Sequence, residues 1–141
     1  MSDVIAGTIP GELITITTDG ATEPFWQAAK EGRLVALACG DCGHFRMPPT
    51  PFCPECQSTE KSWVELSGRA TVYSFAVVHG FPGLPDITLV PAVVNLPDAG
   101  EARLVTNVIG IDPADAKIGM ELAVDFVEIA DGWKLPVFRA V

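Results

Sequence analysis

The sequence predicts a mainly β protein, with a short N-terminal helix, a small metal-bound ribbon and a five-stranded OB-fold barrel, and three observations predict it. Two Cys-x2-Cys pairs, Cys39/Cys42 and Cys53/Cys56, use every cysteine in the chain. Beyond Gly68 the residues fall into five β-rich runs separated by turn-formers. Only one separator, between the third and fourth runs, reads as helical, which is the element order of a small Greek-key barrel.

The 141 residues, 48% of them apolar, suffice for a real core. They divide by pattern into residues 1–31 (extension and helix), 32–67 (ribbon) and 68–141 (barrel). Nine Lys and Arg against 18 Asp and Glu give a net charge of -9, shared almost evenly by the two halves. Nucleic-acid binding needs clustered cations to displace counterions from phosphates, and no such cluster exists in the sequence, so no nucleic-acid partner is expected. The start Met1-Ser2-Asp3-Val4-Ile5 lacks the basic and apolar pattern of a secretory signal, and no window approaches the roughly 18 apolar residues of a membrane span. A cytoplasmic protein without a membrane partner is therefore expected. In a reducing compartment, close cysteine pairs indicate metal rather than disulfides.

Taken in order, residues 1–21 are rich in Gly and Thr, and Leu13-Ile14-Thr15-Ile16-Thr17 fits either a strand or an extended segment lying on a partner. A helix is predicted at 23–31, with Thr22 as its cap, Pro24 in its first turn and Gly32 as its stop. Phe25 and Trp26 are its packing residues, either against the chain's own body or against another subunit. Residues 33–38 and 63–66 read as strands flanking the cysteines, and Ser67-Gly68 marks the boundary to the barrel.

The barrel runs are 69–79, 90–96, 102–111, 121–129 and 133–139. A seven-residue turn is expected at 80–86, shorter turns at 97–100 and 131–132, and a short helix at 112–117, opened by Asp112-Pro113 and stopped by Gly119. The alternation in Ala123-Val124-Asp125-Phe126-Val127-Glu128-Ile129 gives one buried and one wet face. A β-sandwich of the same strands is the structural alternative. Tyr73, Phe75, Phe126 and Trp133 alternate like core residues.

The spacing Cys39-x2-Cys42-x10-Cys53-x2-Cys56 carries the chemistry. Two residues between thiolates let each knuckle turn tightly enough to set both sulfurs on one edge of a tetrahedron. Four thiolates leave no open position, so the expected zinc is structural, one per chain. Iron uses the same ligands, and paired disulfides would require an oxidised chain. His44, beside the second ligand, reads as a solvated loop residue.

Little else in the sequence supports catalysis by this chain alone. A tetracysteine site consumes every thiol, leaving His44 and His79 as the ordinary acid–base groups near neutral pH. No nucleophile elbow, phosphate-binding Gly-rich loop or HExxH helix is present. The loop at 80–88, with Phe81, Leu84, Pro85 and Ile87, is too apolar for an idle loop and is expected to meet a partner, as are Phe25 and Trp26. Deleting residues 1–31 is expected to weaken that partner binding and leave the barrel folded.

From about Pro24 to Phe138 the chain resembles a family of small bacterial and archaeal proteins in which a helix and a rubredoxin-like zinc ribbon precede an OB-fold. Phe25-Trp26, Gly32-Arg33-Leu34, Cys39-x2-Cys42-Gly43, Pro48-Pro49 and Cys53-Pro54-x-Cys56 carry the resemblance through the ribbon. Trp63, Ser67-Gly68, the 104–110 run Leu-Val-Thr-Asn-Val-Ile-Gly, Ile118-Gly119-Met120 and Leu135-Pro136-Val137-Phe138 carry it onward. Family members often have an arginine where this chain has Thr50.

The family was long catalogued as a domain of unknown function and is associated with acyl-CoA enzymes. The resemblance implies a non-catalytic accessory subunit of a thiolase-like or lipid-transfer-protein-like catalytic partner: a thiolase, an acyl-CoA synthase-type enzyme or a steroid side-chain aldolase. Acyl-CoA would then sit at the shared complex. An independent acyl-CoA binding or delivery module is the alternative. Coenzyme A is rich in phosphate, and Arg33, Arg46, Lys61, Arg103 and Arg139 read as scattered cations, so the partner is expected to supply most phosphate contacts.

Overall fold

The computed structural model describes residues 4–141. One α-helix, α1 (Glu23–Lys30), precedes a three-stranded ribbon and a curled five-stranded sheet. Pro24 occupies the first turn of α1, and Gly32, at φ +79°, ends it by bonding the Ala29 carbonyl at 2.9 Å. Thr22 stands at the N-cap position, as expected, but its side chain makes no cap hydrogen bond. Its own backbone is already helical, so its hydroxyl turns back to Asp19, whose Oδ1 accepts from the amides of Ala21 and Thr22 at 3.0 and 2.8 Å. The helix nonetheless starts at Glu23, as expected, and ends at Lys30.

In the ribbon, β1 (Val35–Cys39) lies between β2 (Phe45–Arg46) and β3 (Lys61–Glu65), both antiparallel to it. Every residue of β1 is buried, consistent with its unbroken apolar run in a central position. The barrel follows with β4 (Arg69–Phe75), a hairpin of β5 (Val78–Phe81) and β6 (Leu84–Leu89), then β7 (Pro91–Asn95), β8 (Arg103–Asn107), β9 (Glu121–Glu128) and β10 (Lys134–Ala140).

The main sheet runs β10-β9-β4-β7-β8. A parallel bridge between Val108 and Phe138, with the Ile109 amide on the Phe138 carbonyl at 2.9 Å, draws its two edges together. This order and closure are those of an OB-fold, and they exclude the two stacked sheets of a sandwich. Phe138, Leu122, Val94 and Val108 fill the interior, each 1% exposed or less.

Three local expectations are corrected. Residues 80–86 form no long turn: Phe81 pairs with Leu84 around Pro82-Gly83, and Gly83 at φ +81° allows the two-residue reversal. Gly80, Pro82, Gly83 and Pro85 give this stretch a loop-like composition, while its flanks pair as strands. At 112–117 a single 3-10 turn (Pro113–Asp115) replaces the helix, started by the Asp112 carboxylate on the Ala114 amide at 2.9 Å. It stops there because Ala116 is extended and the Gly119 amide bonds the Val72 carbonyl at 2.8 Å, returning the chain to the sheet. Tyr73 is not a core residue: a register shift between Val72 and Ser74 turns it outward, 48% exposed, with the Arg103 guanidinium 3.8 Å over its ring. Phe75 and Phe126 do pack on the core.

The N-terminal segment lies along the chain's own barrel without forming a strand. The Ala6 amide bonds the Ile111 carbonyl at 2.7 Å, and the Gly110 amide bonds the Ala6 carbonyl at 2.9 Å. A Cβ on Gly11 would stand 2.1 Å from the Glu128 carbonyl oxygen, so only glycine passes there. The Ile14 carbonyl accepts from Ala130 at 3.1 Å. Ala6, Phe25 and Ala28 belong to the same buried cluster as Val35, Val94 and Phe138. Removing residues 1–31 would therefore open the core, contrary to the expectation that the barrel would stay intact. No helix among the described residues is long and apolar enough to cross a membrane.

Candidate metal centre

The end of β1 delivers Cys39, 3% exposed, and the turn after it presents Cys42; the return loop presents Cys53, 1% exposed, and Cys56. The four sulfurs lie within 4.8 Å of one another, with Cys39 and Cys56 at 3.5 Å and Cys42 and Cys53 at 3.6 Å. A tetrahedral zinc with Zn–S bonds of about 2.3 Å places its sulfurs about 3.8 Å apart, so the donor set fits that ion.

The two knuckles share one backbone design. The Gly43 amide bonds the Cys39 carbonyl at 3.0 Å, and the Gln57 amide bonds the Cys53 carbonyl at 2.8 Å. Both donors follow the second cysteine of a pair, and both are left-handed, at φ +80° and +64°. Ser58 Oγ donates to Asp41 Oδ2 at 2.5 Å and ties one knuckle to the other. Sequence reasoning missed Gln57 and this tie; the repeated position after each Cys-x2-Cys pair was the signal for the first.

Electrostatics reinforce the geometry. The Cys42 amide, at 3.4 Å, is the main cause that holds the Cys39 thiol down to about 6, with the Asp41 amide helping against burial. Cys56 behaves oppositely: the Ser58 amide pulls its thiol down, but hydrogen bonding to the Cys39 and Cys42 sulfurs and burial push it up to about 12. Crowded sulfurs without a cation divide into thiolate acceptors and thiol donors. A divalent ion lets all four ionise together. His44 contributes its carbonyl, which accepts from the Cys39 amide at 2.8 Å and shapes the turn.

The residues expected to face a partner fall in two places. Phe25 is 7% exposed, set edge-on to the half-buried Trp26 at 5.1 Å between ring centroids. Phe81, 44% exposed, and the half-buried Leu84 line a depression of about 400 Å³ together with Ile9, Leu13 and Ile14. The hairpin tip and the N-terminal segment thus form one apolar surface. His79 is on β5, outside the metal cluster.

Comparison with known proteins follows the same division. Residues 26–62 match the family described as "ChsH2, rubredoxin-like zinc ribbon domain", and residues 63–127 match "ChsH2, C-terminal OB-fold domain". A DUF35 domain-containing scaffold protein of Methanocaldococcus jannaschii is 31% identical over 110 residues, 75% of this chain and 77% of that protein.

The chain belongs to the DUF35 family.

A probable enoyl-CoA hydratase alpha subunit of Thermomonospora curvata is 44% identical over 117 residues, 82% of this chain. The 3-oxo-4,17-pregnadiene-20-carboxyl-CoA hydratase alpha subunit of Mycobacterium tuberculosis is 34% identical over 127 residues, 89% of this chain. The alignments span only 36% and 40% of those two relatives' own lengths. Among solved structures, a chain of the Ltp2-ChsH2(DUF35) aldolase superposes with a TM-score of 0.79 at 36% identity, covering 89% of this chain and 98% of that one. A DUF35 protein from Sulfolobus solfataricus, at a TM-score of 0.63 and 18% identity, shares the fold. The zinc-ribbon match and the clustered thiols together assign a structural zinc to this DUF35 chain.

Proposed function

We propose that this chain is a non-catalytic accessory subunit that supports a thiolase-like or lipid-transfer-type catalytic partner acting on acyl-CoA, with side-chain cleavage of a steroid thioester as its reaction class. The likeness to the DUF35 chain of an aldolase, over nearly all of that chain's length, carries the reading. The site's chemistry agrees with it. Four thiolates closed around one ion hold structure and leave no position for a substrate.

The surface supports the same reading. Leu13, 62% exposed, and Phe81 expose large apolar side chains where the N-terminal segment meets the β5–β6 hairpin. Such a patch favours burial against a protein. The partner is expected to cover it and to use the rigid ribbon and barrel as a scaffold for its own acyl-CoA site.

The test is co-expression with a thiolase-fold or lipid-transfer-type protein from the same genome, assayed on steroid acyl-CoA thioesters. Cleavage that requires both chains supports the reading. Full activity of the partner alone refutes it, and submicromolar acyl-CoA binding by this chain alone would favour an independent binding module.

A further inference from the structure

The five arginines divide into two kinds. Arg33 is paired with Glu31 and Glu65 at 3.1 and 3.2 Å, Arg69 with Glu121 at 3.9 Å and Arg139 with Asp125 at 2.7 Å. Arg46 and Arg103 make no ion pair among the described residues, and both line one cleft of about 800 Å³ between the ribbon and the barrel turn at 99–103. In a chain of net charge -9, the fold brings together the two arginines that have no carboxylate partner among the described residues.

Arg46 is the stronger anomaly. It is 6% exposed, its Nε donates to the Thr50 carbonyl at 3.0 Å, and its Nη1 and Nη2 are buried with no hydrogen-bond partner among the described residues. A buried charge left uncompensated is costly, and water does not reach these nitrogens to screen it. Arg103 is exposed but oriented: its Nε donates to Asn95 Oδ1 at 3.0 Å and its guanidinium is stacked on Tyr73. Among the described residues, Glu101 is the one carboxylate lining the cleft.

Met47, Pro48 and Arg103 also line a second depression, of about 470 Å³, that continues from the cleft. Its walls are Phe25 and Trp26 of α1, Pro49, and Val93, Leu104 and Val105 of the sheet. Polar cations at one end and an apolar trough at the other suit a long ligand with an anionic end and an apolar arm.

We propose that the ribbon–barrel cleft is an oxyanion site for the phosphate end of an acyl-CoA-type ligand, and that the apolar trough takes the ligand's arm. This rests on the acyl-CoA reading above. Arg103 donates directly to the phosphate, and its planar fork matches that acceptor. Arg46, closed to water, adds poorly screened positive charge through the cleft wall. The two arginines are this chain's share of a phosphate site that the partner completes.

The test uses the full zinc-loaded chain without partner, following arginine side-chain NMR resonances during titration with coenzyme A, inorganic phosphate or acetate. Coenzyme A is expected to shift the Arg103 signal saturably at millimolar concentrations, about tenfold more tightly than inorganic phosphate because the trough adds apolar burial. Arg103→Gln, at an exposed position, is expected to keep the fold and weaken coenzyme A binding about tenfold by removing a charged hydrogen-bond donor.

No saturable shift, or affinity untouched by Arg103→Gln, overturns the site. Equal affinity for coenzyme A and inorganic phosphate also overturns it, as a site for free phosphate alone. Because the readout needs no partner, its failure is distinct from failure of the co-expression assay.

Discussion

The Asp98 carboxylate accepts hydrogen bonds from both the amide and the hydroxyl of Ser67, at 2.9 and 2.5 Å. Ser67 stands between the ribbon and β4, and Asp98 lies in the 3-10 turn (Pro97–Ala99) that borders the cleft, so this pair ties the end of the ribbon to that barrel turn.

The bonds from Ser67, side chain first and then amide, lower the Asp98 pKa below its ordinary 3.8. A carboxylate whose folded pKa is depressed contributes stability that is complete above the ordinary value and fades as the pH falls through the lower folded one. Asp98→Ala is therefore expected to lower Tm modestly at neutral pH, with the gap from the unchanged chain closing at pH below 3.8. Melting curves across that range check it. A gap that persists undiminished in acid would mean that the charge is irrelevant to the contact.

Metal removal is the second prediction. Structural zinc in small modules contributes about 10–16 kcal/mol to folding, far more than a ribbon of three short strands obtains from its own burial. Because Val35 and Ala36 of the ribbon belong to the barrel's buried cluster, losing the ion should loosen both parts. Elemental analysis is expected to find one zinc per chain, and chelation or Cys53→Ser should lower Tm sharply. An unchanged melting curve after complete stripping would contradict the structural role.

Gln57 supplies a third. Gly43 and Gln57 occupy equivalent left-handed positions after their cysteine pairs, but only Gly43 adopts that conformation without a Cβ penalty. Left-handed backbone costs an ordinary residue about 1–2 kcal/mol, partly offset by the greater unfolded-state freedom of glycine. Gln57→Gly should therefore stabilise the zinc-loaded chain by about 0.5–1 kcal/mol, read from urea midpoints. Destabilisation would show that the glutamine side chain has a favourable role of its own.

These relationships also show where sequence reasoning stops. The cysteine spacing and the β-rich runs were legible because tetrahedral ligation and strand pairing leave local signatures. Arg46 and Arg103 read as scattered because they lie far apart in the chain, and only packing β2 against the barrel brings both to one cleft. Tyr73 misled for a local reason, since one register shift reverses the face on which a period-two pattern places a residue.

The last prediction separates the apolar residues that the sequence alone grouped together. Phe25 is buried in the common core, whereas Phe81 lies exposed at the hairpin tip. Truncating a buried phenylalanine to alanine costs about 3–5 kcal/mol, so Phe25→Ala should lower stability on that scale and disturb every function with it. Phe81→Asp adds charge to a surface already in water, and the isolated chain should keep its Tm. If the patch meets a partner, the same change buries an unpaired charge in the complex, and pull-down with the thiolase-like chain should fail. Calorimetry of both variants, paired with that pull-down, reads the two effects separately; normal complex formation by Phe81→Asp would move the partner surface elsewhere on the molecule.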